Sequence, residues 1–566
     1  MIKMWHGGGA DGGWGPRVGR WRPARSVRYG PVVKAPTVSP TPLAASLDAA
    51  CRRWSDRPAI TFGDETISYA ELWQRVSRLA ASYLELGVRP GDRVVCQLPN
   101  GIDHVVAIGA AWTVGALHVG TDNDLTPGEL TVLLDQVDAR TLLYEPRADA
   151  ADVPGAMTSI RSARPGTHLL VNAAAPPELG DHGVHRLGDL LHGDVPEGVA
   201  LPPPADPDHT AVLHLTSGTT GRSKAVKETH TACWAKMQFF ADAYRPGPDD
   251  VHLVFQPIAH VFGMRLALIP LLTGGRLVLL DRFSPDDALR LVSEQGVTVL
   301  PGMPTHFTLL LRALDPERHR VDTLRWAISA ATALPAGLAD EIHDRFGVEM
   351  MYVFGCAEGF TTRTTDRGEI ARGSVGRTVF RSPDGKPQDG RVQIIDPADN
   401  RPLPAGEVGE IVFGAATPVR YWDDPDAATE GWYHTGDLGR IDPDGCLFVV
   451  GRLKELVNRG GLKVAPSEIE AAIVRHEAVA DAGVVAAPDP VLGEAICACI
   501  TPFDGAVPDL TELRAFLADL LARHKLPDEL CVVPKIPRTK IGKVDRPVLT
   551  ELVVHQEVPV QRWRPR

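Results

Sequence analysis

No CxxC pair occurs anywhere in the chain, and its eight cysteines are scattered, with only Cys497 and Cys499 close together. Neither a disulfide framework nor a zinc site is therefore signalled, and reduced thiols in a cytoplasmic setting are expected. Long apolar runs are missing too. The longest uncharged stretch, Val105 to Thr121, is too short and too broken by glycine to span a membrane, and reads as a buried helix followed by a strand. Residues 1–30 hold glycines and arginines but no apolar segment of a secretory signal, so residues 1–41 are expected to form an unstructured N-terminal extension. Positive charge is in deficit: 59 Lys and Arg against 71 Asp and Glu leave a net charge of −12. That disfavours a nucleic-acid partner while leaving room for a locally basic cleft. Internal repeats are absent.

What remains is ordinary globular material, 44% hydrophobic and 23% charged, in a chain of 566 residues that exceeds what one core holds. Ser68 to Glu71 reads as a capping box opening an amphipathic helix with Leu72, Val76, Leu79 and Leu84 on its apolar side. Strands at 93–98 and 140–144 alternate with a helix at 103–114. A second alternating set has strands at 251–255, 276–280, 297–300, 325–328 and 348–352, with helices at 265–272 and 285–295. Such alternation predicts parallel sheets covered on both faces. After Gly373 the pattern changes to short strands at 391–395, 409–413 and 447–450, a small barrel or sandwich, before a last α+β unit of about 110 residues.

The stretch richest in chemistry is LTSGTTGRSKAV, Leu215 to Val226. Gly218 and Gly221 let backbone N–H groups turn inward. Thr216, Ser217, Thr219 and Thr220 add hydroxyls, and Lys224 a point charge, a set suited to polyphosphate. It is not a Walker A loop, because Lys224 follows Ser223 and precedes Ala225.

Four further segments stand in order behind it: QPIAHVFG (256–263), SAATALP (329–335) with VFGCAEG (353–359), WYHTGDLG (432–439) running to GRLKELVNRGG (451–461), and PRTKIGKVDR (537–546). Together they resemble the adenylate-forming (ANL) superfamily over residues 45 to 550, nearest its 2,3-dihydroxybenzoate-AMP ligase branch. The resemblance implies an α/β fold, with an N-terminal adenylation core over 42–451 built from two α/β subdomains and a small β-barrel. A mobile α+β C-terminal domain over 452–566 would turn at a hinge on Lys454. It implies activation of a carboxylic acid by ATP and Mg²⁺ to an acyl-adenylate, then thioester formation with coenzyme A. The alternative acceptor is the phosphopantetheine of an acyl carrier protein.

By the same resemblance Phe354 stacks on adenine while backbone around Ala331 and Gly355 reads its edge. Glu358 and Thr216 hold the metal, Asp437 takes the ribose hydroxyls, and Arg452 assists it. Lys543 bridges the acid and the α-phosphate, His260 stands between acid and phosphates, and Gly460 and Gly461 line the coenzyme A tunnel. His260, Val261, Met264, Arg265 and Val353 are expected to form the acid pocket. Two departures from the family pattern occur: Ala357 stands where Thr is usual, as in the aryl-acid branch, and alanines replace paired glycines around Ala331. Val261-Phe262 stands where that branch has Asn-Tyr, so selection for catechols should weaken, since a buried hydroxyl left unpaired costs about 1–3 kcal/mol. An apolar or bulky acid, aryl, fatty or terpenoid, is the expected substrate. Arg265 either anchors a distal polar group or pairs with a carboxylate distant in sequence. A luciferase-like oxygenase and a noncatalytic nucleotide binder are the readings from other classes; intact Lys543, Glu358 and Asp437 count against the second.

Overall fold

The uncharged run beginning at Val105 becomes the helix Ile102–Thr113, in which every side chain except Asp103 is buried. A helix apolar on all sides must be covered on all sides. Here two sheets share it: its residues join one core with Val94 and Cys96 of the first sheet and Val254, Leu277 and Leu279 of the second. Gly109 permits the close approach of the helix Tyr69–Glu85, because a Cβ there would fall 2.9 Å from Val76 Cγ2. That second helix starts as its sequence predicts. Ser68 and Glu71 cap each other's backbone, and Leu72, Val76 and Leu79 are buried. The computed structural model describes residues 41–566 apart from 147–152, 173–182, 194, 196–198, 217–223, 331–333, 336, 360, 378, 382–386, 390–391, 415–418, 423–431, 461, 504–506, 540–542, 555–558 and 564–566. The N-terminal extension expected over 1–41 thus lies, but for Thr41, outside the described residues.

Among the described residues the first sheet runs Val184–Arg186, His168–Val171, Thr141–Tyr144, Arg93–Gln97, Leu117–Gly120, β1 (Thr210–Thr216) and β2 (Lys224–Thr229). It is parallel up to β1 and closes with the antiparallel β1–β2 pair. Helices α1 (His230–Tyr244) and α2 (Val261–Thr273) follow. The second sheet runs Thr361–Arg363, β3 (Glu349–Gly355), Trp326–Ser329, Val299–Gly302, Val251–Val254, Arg276–Leu279, Pro58–Phe62 and Glu65–Ser68. It is parallel within and antiparallel at both edges. Where the sequence suggests a small barrel or sandwich, Val392–Ile395, Gly409–Gly414, β4 (Trp432–Ile441) and β5 (Leu447–Arg452) pair in that order as one antiparallel sheet.

The C-terminal α+β unit is built on its own six-stranded sheet and two small cores. Cys497 and Cys499 lie on one face of the strand Gly493–Pro502, and the neighbouring strand Glu529–Val532 adds Cys531. Their three sulfurs lie within 4.8 Å of one another, close enough to ligate a metal, a grouping that the absence of CxxC does not signal. All eight cysteines are free thiols.

Candidate active site

The glycine-rich segment lies in sequence between the paired strands β1 and β2. Thr216 and Lys224 face each other across that pair, the Thr216 hydroxyl donating to the Lys224 carbonyl at 3.5 Å. Ser217, Gly218, Thr219, Thr220 and Gly221 lie outside the described residues, as does Ala331. Residues 420–422 lie against β2, Lys227 N–H donating to the Arg420 carbonyl at 2.9 Å and Trp422 N–H to the Ala225 carbonyl at 2.8 Å. This brings Tyr421 under the exposed Lys224, whose ammonium stands 4.9 Å from the ring centroid. The Tyr421 hydroxyl donates to Glu358 Oε1 at 3.4 Å and contacts the Tyr433 hydroxyl at 3.2 Å. Burial, with Glu358 adding to it, pushes the Tyr421 phenol up to about 12, so it keeps the proton it donates.

Strand β3 ends at Phe354 and Gly355, paired antiparallel with Thr362 and Thr361, and the turn that follows carries Glu358. Across from it β4 and β5 set Asp437 opposite Arg452, whose Nε donates to Asp437 Oδ1 at 2.7 Å. Lys543, from the far end of the chain, is half-buried and within electrostatic range of Asp437, Arg452, Glu455 and Cys356. Burial and the like charge of Arg452 hold its ammonium below the usual lysine value, while Asp437 and Glu455 pull it back up. Asp437 is raised by its own burial, against the pull of Arg452 and Lys543. Lys543 is aimed by the turn that carries it: its N–H donates to Thr539 Oγ1 at 3.2 Å, and its carbonyl accepts from Thr539 N–H at 2.7 Å.

His260 caps α2 at its N-terminus, and its Nε2 lies 3.1 Å from Asp122 Oδ1, just beyond the strand Leu117–Gly120. The two segments meet because neither carries bulk there. A Cβ on Gly120 would fall 2.7 Å from the Ala259 Cα, and one on Gly263 would fall 2.2 Å from the Pro257 oxygen. Met264, Arg265 and Val353 are buried and Val261 is partly buried. Arg265 does pair with a carboxylate distant in sequence, its guanidinium donating to Glu228 Oε1 at 2.8 Å. Lys454 is exposed in the 3₁₀ turn Leu453–Glu455 just past β5. Gly460 takes φ +58° and donates its N–H to the Leu492 carbonyl at 2.8 Å; Gly461 lies outside the described residues.

Residues 47–420 match the AMP-binding enzyme family and residues 468–543 match the AMP-binding enzyme C-terminal domain, a stretch that closes on Lys543. The chain belongs to the AMP-binding enzyme family. It is 32% identical to triostin synthetase I of Streptomyces triostinicus, covering 91% of this chain and 94% of that protein. It is 32% identical to the 2,3-dihydroxybenzoate-AMP ligase of Bacillus subtilis strain 168, over 88% of this chain and 92% of the relative. Among solved structures, ATP-bound MatB from Rhodopseudomonas palustris superposes with a TM-score of 0.77 at 28% identity, covering 90% of this chain and 98% of that one. As an AMP-binding enzyme of this adenylate-forming class, the chain is an acid–thiol ligase that activates a carboxylic acid with ATP as its adenylate and then forms a thioester. No helix among the described residues is long and apolar enough to cross a membrane.

Several members of the candidate site carry no signal in sequence. Asp122 and Tyr421 sit in none of the five segments, whereas Tyr433 and Glu455 lie within the segment running from WYHTGDLG to GRLKELVNRGG, which assigns them no role. Tyr421 and Asp122 reach the site through contacts between positions far apart in the chain, 63 residues for Tyr421 and Glu358 and 138 for Asp122 and His260.

Proposed function

We propose that the enzyme adenylates an apolar or bulky carboxylic acid in a Mg²⁺-dependent step and transfers the acyl group to coenzyme A. The observation that supports this most is the half-buried Lys543 within electrostatic range of the paired Asp437 and Arg452. Carboxylate and α-phosphate repel each other, and a fixed ammonium between them offsets charge where it accumulates in the transition state. Asp437 accepts the ribose hydroxyls, Phe354 stacks on the adenine, and the hairpin tip with Lys224 receives the outer phosphates.

Hard oxygen donors suit a hard cation, and the Glu358 carboxylate, oriented by Tyr421, fits Mg²⁺ together with the Thr216 hydroxyl. The ion would neutralise phosphate charge there. His260, oriented by Asp122, separates the acid from the phosphates. After pyrophosphate leaves, the C-terminal unit turns about Lys454, withdraws Lys543 and opens a path past Gly460 and Gly461 for the thiol. Gating of this kind keeps the mixed anhydride from water until the acceptor arrives.

The test is acid-dependent exchange of labelled pyrophosphate into ATP across aryl, fatty and polycyclic acids, followed by product analysis with and without coenzyme A. Exchange with an apolar acid and a thioester formed only with coenzyme A is the expected result. Adenylate that accumulates untouched by coenzyme A yet loads a carrier-protein phosphopantetheine would replace the acceptor. No exchange with any acid would sink the reading.

A further inference from the structure

A buried ionic cluster that the adenylation chemistry does not use joins β1, β2, α1 and α2. Glu228, on β2, is 1% exposed and accepts three partners: Arg265 at 2.8 Å and Lys236 at 2.6 Å on Oε1, and His214 at 2.7 Å on Oε2. The cations hold the Glu228 carboxyl well below its usual value against the effect of burial, while burial pushes the His214 imidazole down, so that it donates as a neutral ring. One carboxylate therefore faces two cations, and the cluster keeps one positive charge that no anion among the described residues neutralises. An unbalanced charge in a buried setting is costly unless a partner arrives.

The excess lies toward the turn that follows β3. Of the three charged members Lys236 alone keeps appreciable exposure, 14% of its side chain against 5% for Arg265 and 1% for Glu228. Its ammonium donates to the Ala357 carbonyl at 3.3 Å and lies 3.8 Å from where a Cβ on Gly359 would stand, under the turn that follows Val353. An ammonium has three donors and Lys236 uses two. Arg265, one turn into α2 from His260, leaves its Nε–H without a partner although the residue is only 4% exposed. The cluster thus touches both segments expected to line the acid pocket, α2 through Arg265 and the turn after β3 through Lys236, with donors to spare.

We propose that this cluster is a subsite for a second anionic group of the substrate, read by Lys236 with Arg265 behind it. The acid activated would then have an apolar body with a carboxylate, or another oxyanion, at the end remote from the reacting carboxylate. This rests on the adenylation reading above and on residues 260–265 with 353–359 as the acid pocket. Glu228 is the positioning residue: it holds both cations and ties them to the β1–β2 hairpin through His214.

The experiment is pyrophosphate exchange with matched acids that share one apolar body and differ only in a free carboxylate or its methyl ester at the far end. It is run on the full chain and on Lys236→Met and Lys236→Arg. A hydrogen-bonded ion contact predicts that kcat/KM for the diacid exceeds that for its monoester by about 10- to 100-fold. Lys236→Met should erase that ratio through the diacid KM while leaving the monoester rate near that of the unaltered enzyme, and Lys236→Arg should restore much of it. Equal rates for the pair in the unaltered enzyme would overturn the subsite alone, and so would a uniform loss in Lys236→Met that Lys236→Arg does not repair. Absence of exchange with every acid would overturn the adenylation reading and this proposal with it.

Discussion

The two places where large parts of this molecule meet are built on opposite principles. Between the two parallel sheets runs a helix with one part-exposed residue, Asp103, enclosed by a continuous apolar core. Between the body and the C-terminal unit several of the described contacts are polar. Ser467 Oγ donates to the Val450 carbonyl at 2.9 Å, Arg312 stands 5.4 Å over the Phe503 ring, and Lys543 reaches the Asp437–Arg452 pair. Apolar interiors are close-packed and resist rearrangement, whereas a few hydrogen bonds and charges can be exchanged for water at small cost. On the function proposed above, the β1–β2 hairpin is tied to the first kind of joint through Ala211 and Lys543 belongs to the second.

Breaking the rigid side should have the largest effect. Trp112 is 1% exposed on the central helix and donates its indole N–H to the Ala211 carbonyl of β1 at 3.0 Å. Trp112→Ala is expected to lower unfolding stability by about 3–5 kcal/mol, read by urea titration. A loss below 1 kcal/mol would mean the helix is not the shared core described. Next comes Lys543→Ala, which should reduce pyrophosphate exchange by about 10²- to 10³-fold, the scale for removing one group that stabilises developing charge. Transfer from a supplied acyl-adenylate should stay intact. Equal loss of both steps would mean that the lysine does not leave between them.

The lysine's environment gives that contrast a pH dependence. Burial and Arg452 lower its ammonium from the ordinary value of about 10.4, with Asp437 and Glu455 opposing. The charged form, present only below that lowered pKa, is the active one. Adenylation should therefore fall on the alkaline side earlier than for an exposed lysine, whereas acyl transfer should not. In Lys543→Arg any residual exchange should lose this alkaline limb, because guanidinium stays charged. A limb unchanged in that variant would assign the titration to another group.

Legibility in the sequence followed the same divide. Alternating strands and helices, the capping box at Ser68 and the helix Pro285–Gln295 were readable because local periodicity and capping chemistry decide them. The strand β4 was readable as a motif but not as a strand, since Gly436 and Gly439 interrupt any alternation. The edge hairpin of Pro58–Phe62 with Glu65–Ser68 gave little signal because both strands are short. At the site, residues named by a motif could be numbered in advance, and Asp437 and Arg452 indeed meet. Partners supplied by tertiary register could not: Tyr421 reaches Glu358 only because residues 420–422 lie along β2, and Glu228 was indistinguishable from a surface carboxylate until Arg265, Lys236 and His214 closed on it.

Smaller effects sharpen the polar joint. Ser467→Ala removes the hydrogen bond to Val450 and should shift the balance between the two orientations by about 0.5–1.5 kcal/mol, slowing exchange relative to transfer. The close packing of Gly451 on Ala465, where a Cβ would fall 2.8 Å from the Ala465 Cβ, keeps the segment registered when that bond is gone.

The weakest of the three contacts makes the most discriminating case. Arg312 and Phe503 are both exposed, Phe503 at 42%, so their cation–π contact is expected to contribute about 0.5–1 kcal/mol. If the C-terminal unit were fixed, Arg312→Ala would cost only that much stability and leave both half-reactions alone. If the unit turns, the contact exists in one orientation and not the other. The same energy then becomes a shift in population, slowing exchange by about two- to fivefold without slowing acyl transfer. Measured side by side in single-turnover experiments, equal small changes in both half-reactions would argue for a fixed unit, and opposed changes for a turning one.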